Sequence, residues 1–289
     1  MSAADATLAK PKPVRKPLPW PWVAVFSLVT LFCYFGSQRV PAGGDFGTAF
    51  QRSDSTRVSD PSAAKRRFRL GTFNIHGGVG ADDRFDLQRT AANLHTLDFA
   101  GLNEVHGASL LDPDDQAELL GRAIDRSWLF APTEQRWFHY GFGNGAVSSL
   151  PVTSWQRIPL PRRHARSFRN LLLVTLDCQG TRVNVVVTHL DREPRERPEQ
   201  LRAVSELFLS LAEPAVLMGD MNTPADDPDL KRLLAVPGVV DAVGQALGDK
   251  TPPHIDWILL RGLKCLDSGL TRDGASDHPL AWAEVELLD

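Results

Sequence analysis

The feature that most constrains this chain is a series of short apolar runs, each bounded by a polar residue. Leu70-Gly71-Thr72-Phe73 runs into Asn74, and Ala100-Gly101-Leu102 runs into Asn103 and Glu104. Val185-Val186-Val187-Thr188 ends on His189, and Val216-Leu217-Met218-Gly219 ends on Asp220, with Asn222 two residues later. Asp256 stands beside Ile255 at the start of another run, and Asp277-His278 precede Pro279-Leu280. Short apolar runs rich in branched residues and closed by turn formers read as strands buried on both faces. A chain with several such strands must stack sheets or cover them with helices.

The remaining pattern supplies the cover. Strands are expected over 68–75, 98–105, 144–150, 154–160, 168–176, 182–188, 214–218, 255–260 and 279–287, with 182–188 apolar enough to be central. Helices are expected over 84–97, capped by Asp82 or Asp83, over 114–124, and over 198–211. In the last, Leu201, Val204, Leu207, Phe208 and Leu211 fall on one face. Helices and strands mix without strict βαβ alternation. This favours an α/β (α+β) sandwich over a Rossmann sheet. No internal repeat is visible.

The N-terminus reads differently. No charge occurs between Lys16 and Arg39, and Trp20 to Gly36 is almost entirely apolar. About 20 apolar residues span a bilayer core, so this run sits near the short limit. Lys10, Lys12, Arg15 and Lys16 precede it, which places the N-terminus in the cytoplasm and the chain beyond the run on the extracytoplasmic side. A cleaved signal peptide has the same charge order, but Val40-Pro41-Ala42 is a poor cleavage site. A buried helix is disfavoured by the two prolines at its entry and by the missing polar face. The expected organisation is therefore a basic cytoplasmic tail over 1–19, a single transmembrane helix over 20–37, a flexible linker over 38–67 and a folded domain over 68–289. The expected localisation is the cell membrane.

Charge divides at the same place. Residues 1–67 hold ten Lys/Arg against four acids, a surplus of six, while 68–289 hold 22 against 31, a deficit of nine. A body that acidic is not an obvious binder of a bare polyanion. Three cysteines in 289 residues cannot staple a scaffold. Cys178 and Cys265 could pair outside the cytoplasm, but spacing does not show that they meet.

The polar strand-end residues carry the chemistry. Each alone reads as a turn former or a helix cap, and Asp220-Met221-Asn222-Thr223-Pro224 is loop chemistry on its own. Six stations in one chain can instead converge on a cleft whose geometry a rigid sheet holds. The set lacks cysteine and is rich in hard oxygen donors, which suits Mg²⁺, or Mn²⁺, better than zinc. A phosphoryl centre is anionic and repels nucleophiles, and a divalent cation neutralises it. A carboxylate beside the attacking water acts as base. An imidazole held by a carboxylate keeps its proton and can donate to phosphate.

In these stations the chain resembles the endonuclease/exonuclease/phosphatase superfamily, which has the deoxyribonuclease-I-like fold. The resemblance lies in Thr72-Phe73-Asn74-Ile75-His76-Gly77-Gly78, Gly101-Leu102-Asn103-Glu104-Val105, Thr188-His189-Leu190, Gly219-Asp220-Met221-Asn222, Ile255-Asp256-Trp257-Ile258 and Ser276-Asp277-His278-Pro279. It covers nearly all of 68–289 in the family's order. The superfamily includes deoxyribonuclease-like nucleases, apurinic endonucleases, neutral sphingomyelinases and inositol-phosphate phosphatases. The resemblance implies a four-layer sandwich of two packed mixed β-sheets flanked by helices, and Mg²⁺-dependent phosphoester hydrolysis. It implies that Glu104 is the principal metal ligand, with Asn74 at the metal and phosphate site and Asp277 on the metal side. Asp220 would orient and deprotonate water, Asn222 would hold a phosphate oxygen, Asp256 would pair with His278, and His189 would face the phosphate.

The sequence departs from the family in places. Asn103 stands where many members have Gln. His76 stands where apurinic endonucleases carry Asp, and it either touches substrate or metal or closes the Gly77-Gly78 turn. Ser149 or Leu150 occupies a place often held by Arg, and Tyr140 is the only tyrosine after residue 67. These departures weigh against a DNA-repair role.

Two basic clusters remain. Arg157, Arg162, Arg163, His164, Arg166 and Arg169 lie on an expected hairpin and read equally as a solvated loop or a contact for anionic groups. Arg192, Arg195 and Arg197 alternate with Glu193, Glu196 and Glu199, which reads as a solvated helix start. The aromatic group from Trp128 to Phe142 reads as core packing. The leading expectation is a membrane-anchored, metal-dependent phosphoesterase acting on a small molecule, a lipid headgroup or nucleic acid, with nuclease activity as the alternative. The alternative of another class is a catalytically silent tethered binding domain. No protein partner is evident.

Overall fold

The computed structural model describes residues 19–37, 40–52, 66–109, 112–135, 141–163 and 167–288. The chain divides into two units, Met1–Gln38 and Arg39–Asp289. Most of the expected basic tail lies outside the described residues. So do His164 and Arg166, and Trp137, Phe138, His139 and Tyr140 of the aromatic group.

The first unit contains one helix, α1 (Trp20–Ser37), on the apolar run. Trp20, Phe26, Leu28 and Tyr34 are all exposed. The transmembrane expectation is corrected here, because among the described residues no helix is long and apolar enough to cross a membrane. At 1.5 Å per residue, the helix is about 27 Å long, short of a hydrocarbon core of about 30 Å.

The second unit is built from β1 (Val40–Pro41), β2 (Asp45–Gly47), β3 (Arg67–Asn74), α2 (Leu87–Leu94), β4 (Phe99–His106), α3 (Gln116–Ala123), β5 (Ser127–Pro132), β6 (Glu134–Gln135), β7 (Phe142–Ser148) and β8 (Val152–Pro159). It continues through β9 (Asn170–Cys178), β10 (Thr181–His189), α4 (Arg197–Ser210), β11 (Ala215–Asp220), α5 (Pro228–Leu234), β12 (Val240–Asp241), α6 (Ala242–Leu247), β13 (Asp256–Arg261), β14 (Leu263–Thr271) and β15 (Leu280–Leu287). A seven-stranded sheet has the order β12-β13-β11-β10-β9-β8-β2, and a six-stranded sheet has the order β14-β15-β3-β4-β7-β5. Both are mixed: β10–β11 and β3–β4 are parallel pairs, and their other neighbours are antiparallel. The valine-rich β10 is the middle strand of seven, as its composition predicts.

The sheets stack through Phe68, Leu70, Val185, Val187, Met218 and Ala283. One close approach between them requires a glycine. A Cβ on Gly101 of β4 would sit 2.8 Å from both Val187 methyl carbons. On the outer face of the seven-stranded sheet, α4 buries Leu201, Val204 and Phe208 against Val186, Leu217 and Leu259. On the other outer face, Ala91 and Leu94 of α2 and Ala117 and Leu120 of α3 pack against Phe73, Ala100 and Leu102. This is the expected four-layer sandwich.

The expected linker over 38–67 needs correction. Residues 40–52 are part of the folded unit: β2 pairs with β8, β1 pairs with β6, and Gln51 bridges Trp128. Phe50 and Ala42 are buried, at 6% and 4% exposure. Two apolar side chains and a few edge hydrogen bonds suffice to dock a segment that has no hydrophobic period of its own. Helix α2 is also shorter than expected. Its cap is Asp86, which accepts from the Gln88 and Arg89 amides at 2.9 and 3.4 Å, not Asp82 or Asp83. Cys178 and Cys265 are free.

Candidate active site

Strand register assembles the site. His189 at the end of β10 is the partner of Asp220 at the end of β11, and Asp220 is the partner of Asp256 at the start of β13. In the other sheet, Asn74 at the end of β3 is the partner of Asn103 on β4. The two rows meet: the Asn74 amide donates to Asp220 Oδ2 at 3.0 Å and to Glu104 Oε1 at 3.2 Å.

Two backbone features aim the carboxylates. Between Leu102 and Val105, β4 carries one residue more than β7, and within this bulge Glu104 has φ +57°. A bulge re-aims a side chain, and the left-handed conformation of a non-glycine residue stores strain of order 1–3 kcal/mol. It leaves Glu104 partly accessible beside buried Asn103. On β11, Gly219 has φ +144°, and a Cβ there would run into the Thr188 carbonyl oxygen. The glycine of the Gly-Asp-x-Asn motif is therefore required sterically.

Asp220 is 1% exposed. Its Oδ1 accepts the Asn222 amide at 2.9 Å, and its backbone N–H donates to Asn103 Oδ1 at 2.9 Å. Burial pushes its carboxyl up, the Asp256 charge adds to this, and His278 and the hydrogen bonds from Asn222 and Asn74 only partly oppose it, so it titrates at about 6. Asn222 donates to the Leu190 carbonyl at 2.9 Å, which anchors the loop after β11.

The two histidines face Asp220 from opposite kinds of partner. His278 Nδ1 lies 2.9 Å from Asp256 Oδ2, and its Nε2 lies 3.7 Å from Asp220 Oδ2. Burial works against the charge on His278. The hydrogen bond and charge of Asp256, with Asp220 and Asp277 beyond, outweigh it and raise the ring to about 9. His189 Nε2 lies 3.4 Å from Asp220 Oδ2 and 3.9 Å from Glu104 Oε1. Its Nδ1 meets Arg169 Nη1 at 3.1 Å. Full burial, then the positive charges of Arg169, His278 and Arg192, hold this ring well below the usual histidine range. Burial reinforced by positive neighbours at His189, and carboxylates that outweigh burial at His278, push the two rings in opposite directions.

His76 and Asp277 sit at the rim, each close to half exposed, with Nδ1 and Oδ1 3.6 Å apart. His76 also begins the 3₁₀ turn His76–Gly78, which is the turn-closing alternative of its two expected roles. Asp277 accepts from Ser276 Oγ at 3.2 Å, and Ser276 Oγ also bonds the Asn74 carbonyl at 2.7 Å.

Asp220, Asp256 and His278 offer one atom each within 4.8 Å, a spacing that can hold a metal ion. In that set Asp256 Oδ2 holds His278 Nδ1, which leaves Nε2 as the ring's one free nitrogen, a mixed oxygen and imidazole set. The corner of Glu104 and Asn74 offers oxygen donors beside the cleft and fits a hard divalent cation better.

Sequence reasoning missed a buried amide ladder. Asn103 Nδ2 donates to Asn144 Oδ1 at 2.8 Å and to the Thr188 carbonyl at 3.1 Å, and Asn144 Nδ2 donates to Asn170 Oδ1 at 2.9 Å. The ladder ties the sheets together beneath Asp220. The available signal was the place of Asn144 and Asn170 at the start of apolar strands. The arginine cluster, which reads equally as a solvated loop or an anionic contact, divides: Arg169 lies beside His189, while Arg163 pairs with Glu199 and Arg162 stacks on Phe168.

A model of the Endonuclease/Exonuclease/phosphatase family matches residues 71–278. No curated protein matches the sequence. Among solved structures, an endonuclease/exonuclease/phosphatase from Beutenbergia cavernae DSM 12333 is similar, with 24% identity and a TM-score of 0.63 over 77% of this chain and 72% of that one. D. rerio TDP2 complexed with single strand DNA product has 20% identity and a TM-score of 0.56, over 76% of this chain and 99% of that one. Bacteroides thetaiotaomicron VPI-5482 mannosyl-6-phosphatase has 14% identity and a TM-score of 0.57, over 75% and 99%. At these identities the structures support the fold, and the family assignment rests on the match that runs from Gly71 to His278. This chain belongs to the Endonuclease/Exonuclease/phosphatase family, whose named activities are all hydrolyses of phosphoesters.

Proposed function

We propose that this chain is a divalent-cation-dependent phosphoesterase in which Asp220 is the base and charged His278 is the phosphate-binding donor. One observation carries the reading: a buried carboxylate that titrates at about 6 faces an imidazolium held by Asp256 at 2.9 Å. A base poised near the working pH balances availability against driving force. In this reading Asp220 Oδ2 orients a water and takes its proton as the new O–P bond forms, and the bond from phosphorus to the ester oxygen opposite breaks, with that oxygen leaving as the alcohol or phenolate with its electron pair. His278 Nε2–H donates to a phosphoryl oxygen where negative charge builds. The Asn222 side chain and His189 Nε2–H line the phosphate position. Glu104 and Asn74, with Asp277 toward the rim, would hold Mg²⁺ or Mn²⁺, which when bound neutralises phosphoryl charge. The nine-charge deficit of 68–289 supports a compact phosphoester over a long polyanion.

The test is release of nitrophenolate from bis(4-nitrophenyl) phosphate and 4-nitrophenyl phosphate. Hydrolysis is expected with Mg²⁺, is expected to stop with EDTA, and is expected to return with excess Mg²⁺ or Mn²⁺. No release from either ester with any divalent cation would overturn the reading and leave a binding domain.

We also propose that α1 holds the protein at the cell membrane. Its support is the exposure of apolar side chains along the helix, which water does not favour. After cell fractionation the full chain is expected with the membranes, and deletion of 20–37 should release it. A full chain found wholly in the soluble fraction would count against this.

A further inference from the structure

We propose that Arg169 is a positioning residue that holds His189 as its neutral, Nε2-protonated form, so that the ring enters the site as an uncharged donor. The argument begins with donor inventory. A guanidinium has only N–H donors and no acceptor. Arg169 Nη1 lies 3.1 Å from His189 Nδ1, with the His189 side chain only 3% exposed. If Nδ1 carried a proton, two donors would face each other with no water between them. Only the Nδ1 lone pair makes this contact a hydrogen bond, and the ring proton is then on Nε2. That nitrogen faces Asp220 Oδ2 at 3.4 Å and Glu104 Oε1 at 3.9 Å, both acceptors.

Arg169 is itself built in. Its side chain is 10% exposed, its Nε lies 3.8 Å from Asp191 Oδ2, and its guanidinium stands 5.9 Å from the Phe142 ring centroid. Asp191 is fixed in turn by Ser167 Oγ at 2.8 Å and, through its backbone N–H, by Gln200 Oε1 of α4 at 2.8 Å. The support for His189 thus runs back to a packed helix. It also assigns distinct parts to the two site histidines. His278, on a carboxylate, brings charge. His189, on a guanidinium, brings one directed N–H and no charge, which leaves the charge on the Asp220 carboxylate uncompensated from that side.

The consequence for rate rests on the phosphoesterase reading, but the ring state does not. The experiment is ¹⁵N–¹H correlation of the histidine rings in the full chain at pH 7, without added metal, beside kinetics on bis(4-nitrophenyl) phosphate. In the wild type, His189 is expected to show an unprotonated Nδ1 and a protonated Nε2, while His278 shows both nitrogens protonated. Arg169→Met should break the single His189 form and lower kcat by about 10- to 100-fold, as loss of an orienting partner typically does, with KM little changed. Arg169→Lys, which keeps a donor, should restore the wild-type ring form and most of kcat. A retained His278 signal certifies the fold of each variant; if Arg169→Met loses it, the wild-type spectrum and the Lys variant decide. A proton on His189 Nδ1 in the wild type, or a wild-type His189 ring form in folded Arg169→Met, overturns the proposal. Absence of any hydrolysis would sink the phosphoesterase reading and leave the ring spectra to decide this one.

Discussion

Asp220→Ala is expected to lower kcat on a phosphodiester by about 10²–10⁴-fold, the usual worth of a positioned general base. The size follows from where the carboxylate sits. It is 1% exposed, gathers Asn74, Asn222 and both histidines, and is the in-register partner of His189 and Asp256. Its neighbours are otherwise engaged: His278 is charged, Asp256 is committed to it, and His189 Nδ1 meets Arg169. The pH profile gives the sharper readout. The base works only when ionised, so activity should climb as pH rises through about 6. It should fall again through about 9, where His278 loses its proton. Asp220→Ala should erase the acid limb from the residual rate. An Asp220→Ala enzyme with wild-type kcat, or with the acid limb intact, would refute the assignment.

Asp256→Asn is expected to cost about 10²-fold or more in kcat at pH 8 and much less at pH 6. The carboxylate outweighs burial in keeping His278 charged, through one hydrogen bond and one charge. An amide keeps an acceptor but not the charge, so burial wins and the ring titrates well below 9. The alkaline limb should move toward acid. The acid limb should move the same way, because the Asp256 charge also helps to raise Asp220. A pH–rate profile of the variant tests both shifts. An alkaline limb still near 9 would mean that Asp256 does not hold the proton on His278.

The same shifts carry stability, with opposite signs. His278 is raised above its ordinary 6.5, so it contributes stability that is complete below pH 6.5 and lost as pH rises through about 9. Asp220 is raised above its ordinary 3.8, so its penalty is absent below 3.8 and complete above about 6. Activity is therefore expected between about 6 and about 9, where both charges are present and one of them is costly.

Much of this was legible in the chain. Asn74, Glu104, His189, Asp220, Asp256 and His278 stand at the boundaries of apolar runs, and a strand boundary is visible because composition changes there. The central place of β10 followed from its run of valines. Other elements were hidden for physical reasons. β14 carries Lys264, Asp267 and Ser268 on a sheet edge, so it has neither a continuous apolar run nor clean alternation. Residues 40–52 contribute only two buried apolar side chains, too few to leave a period. The ends of α1 were readable as 20–37, and so was a length near the short limit for a bilayer.

The sequence by itself determined the class of fold, the identity of the polar set and its chemistry, because burial forces apolar strands inward and leaves their polar ends at one rim. Only the tertiary structure decided which of those groups are charged. That depends on partners brought together across sheets from distant segments: Asp256 against His278, Arg169 against His189, and Asn103 beneath Asp220. The bulge that turns Glu104 toward the cleft is likewise a product of pairing, since one extra residue in β4 exists only relative to β7. Residue types can be read along a chain; protonation states depend on neighbours, and neighbours are set by packing.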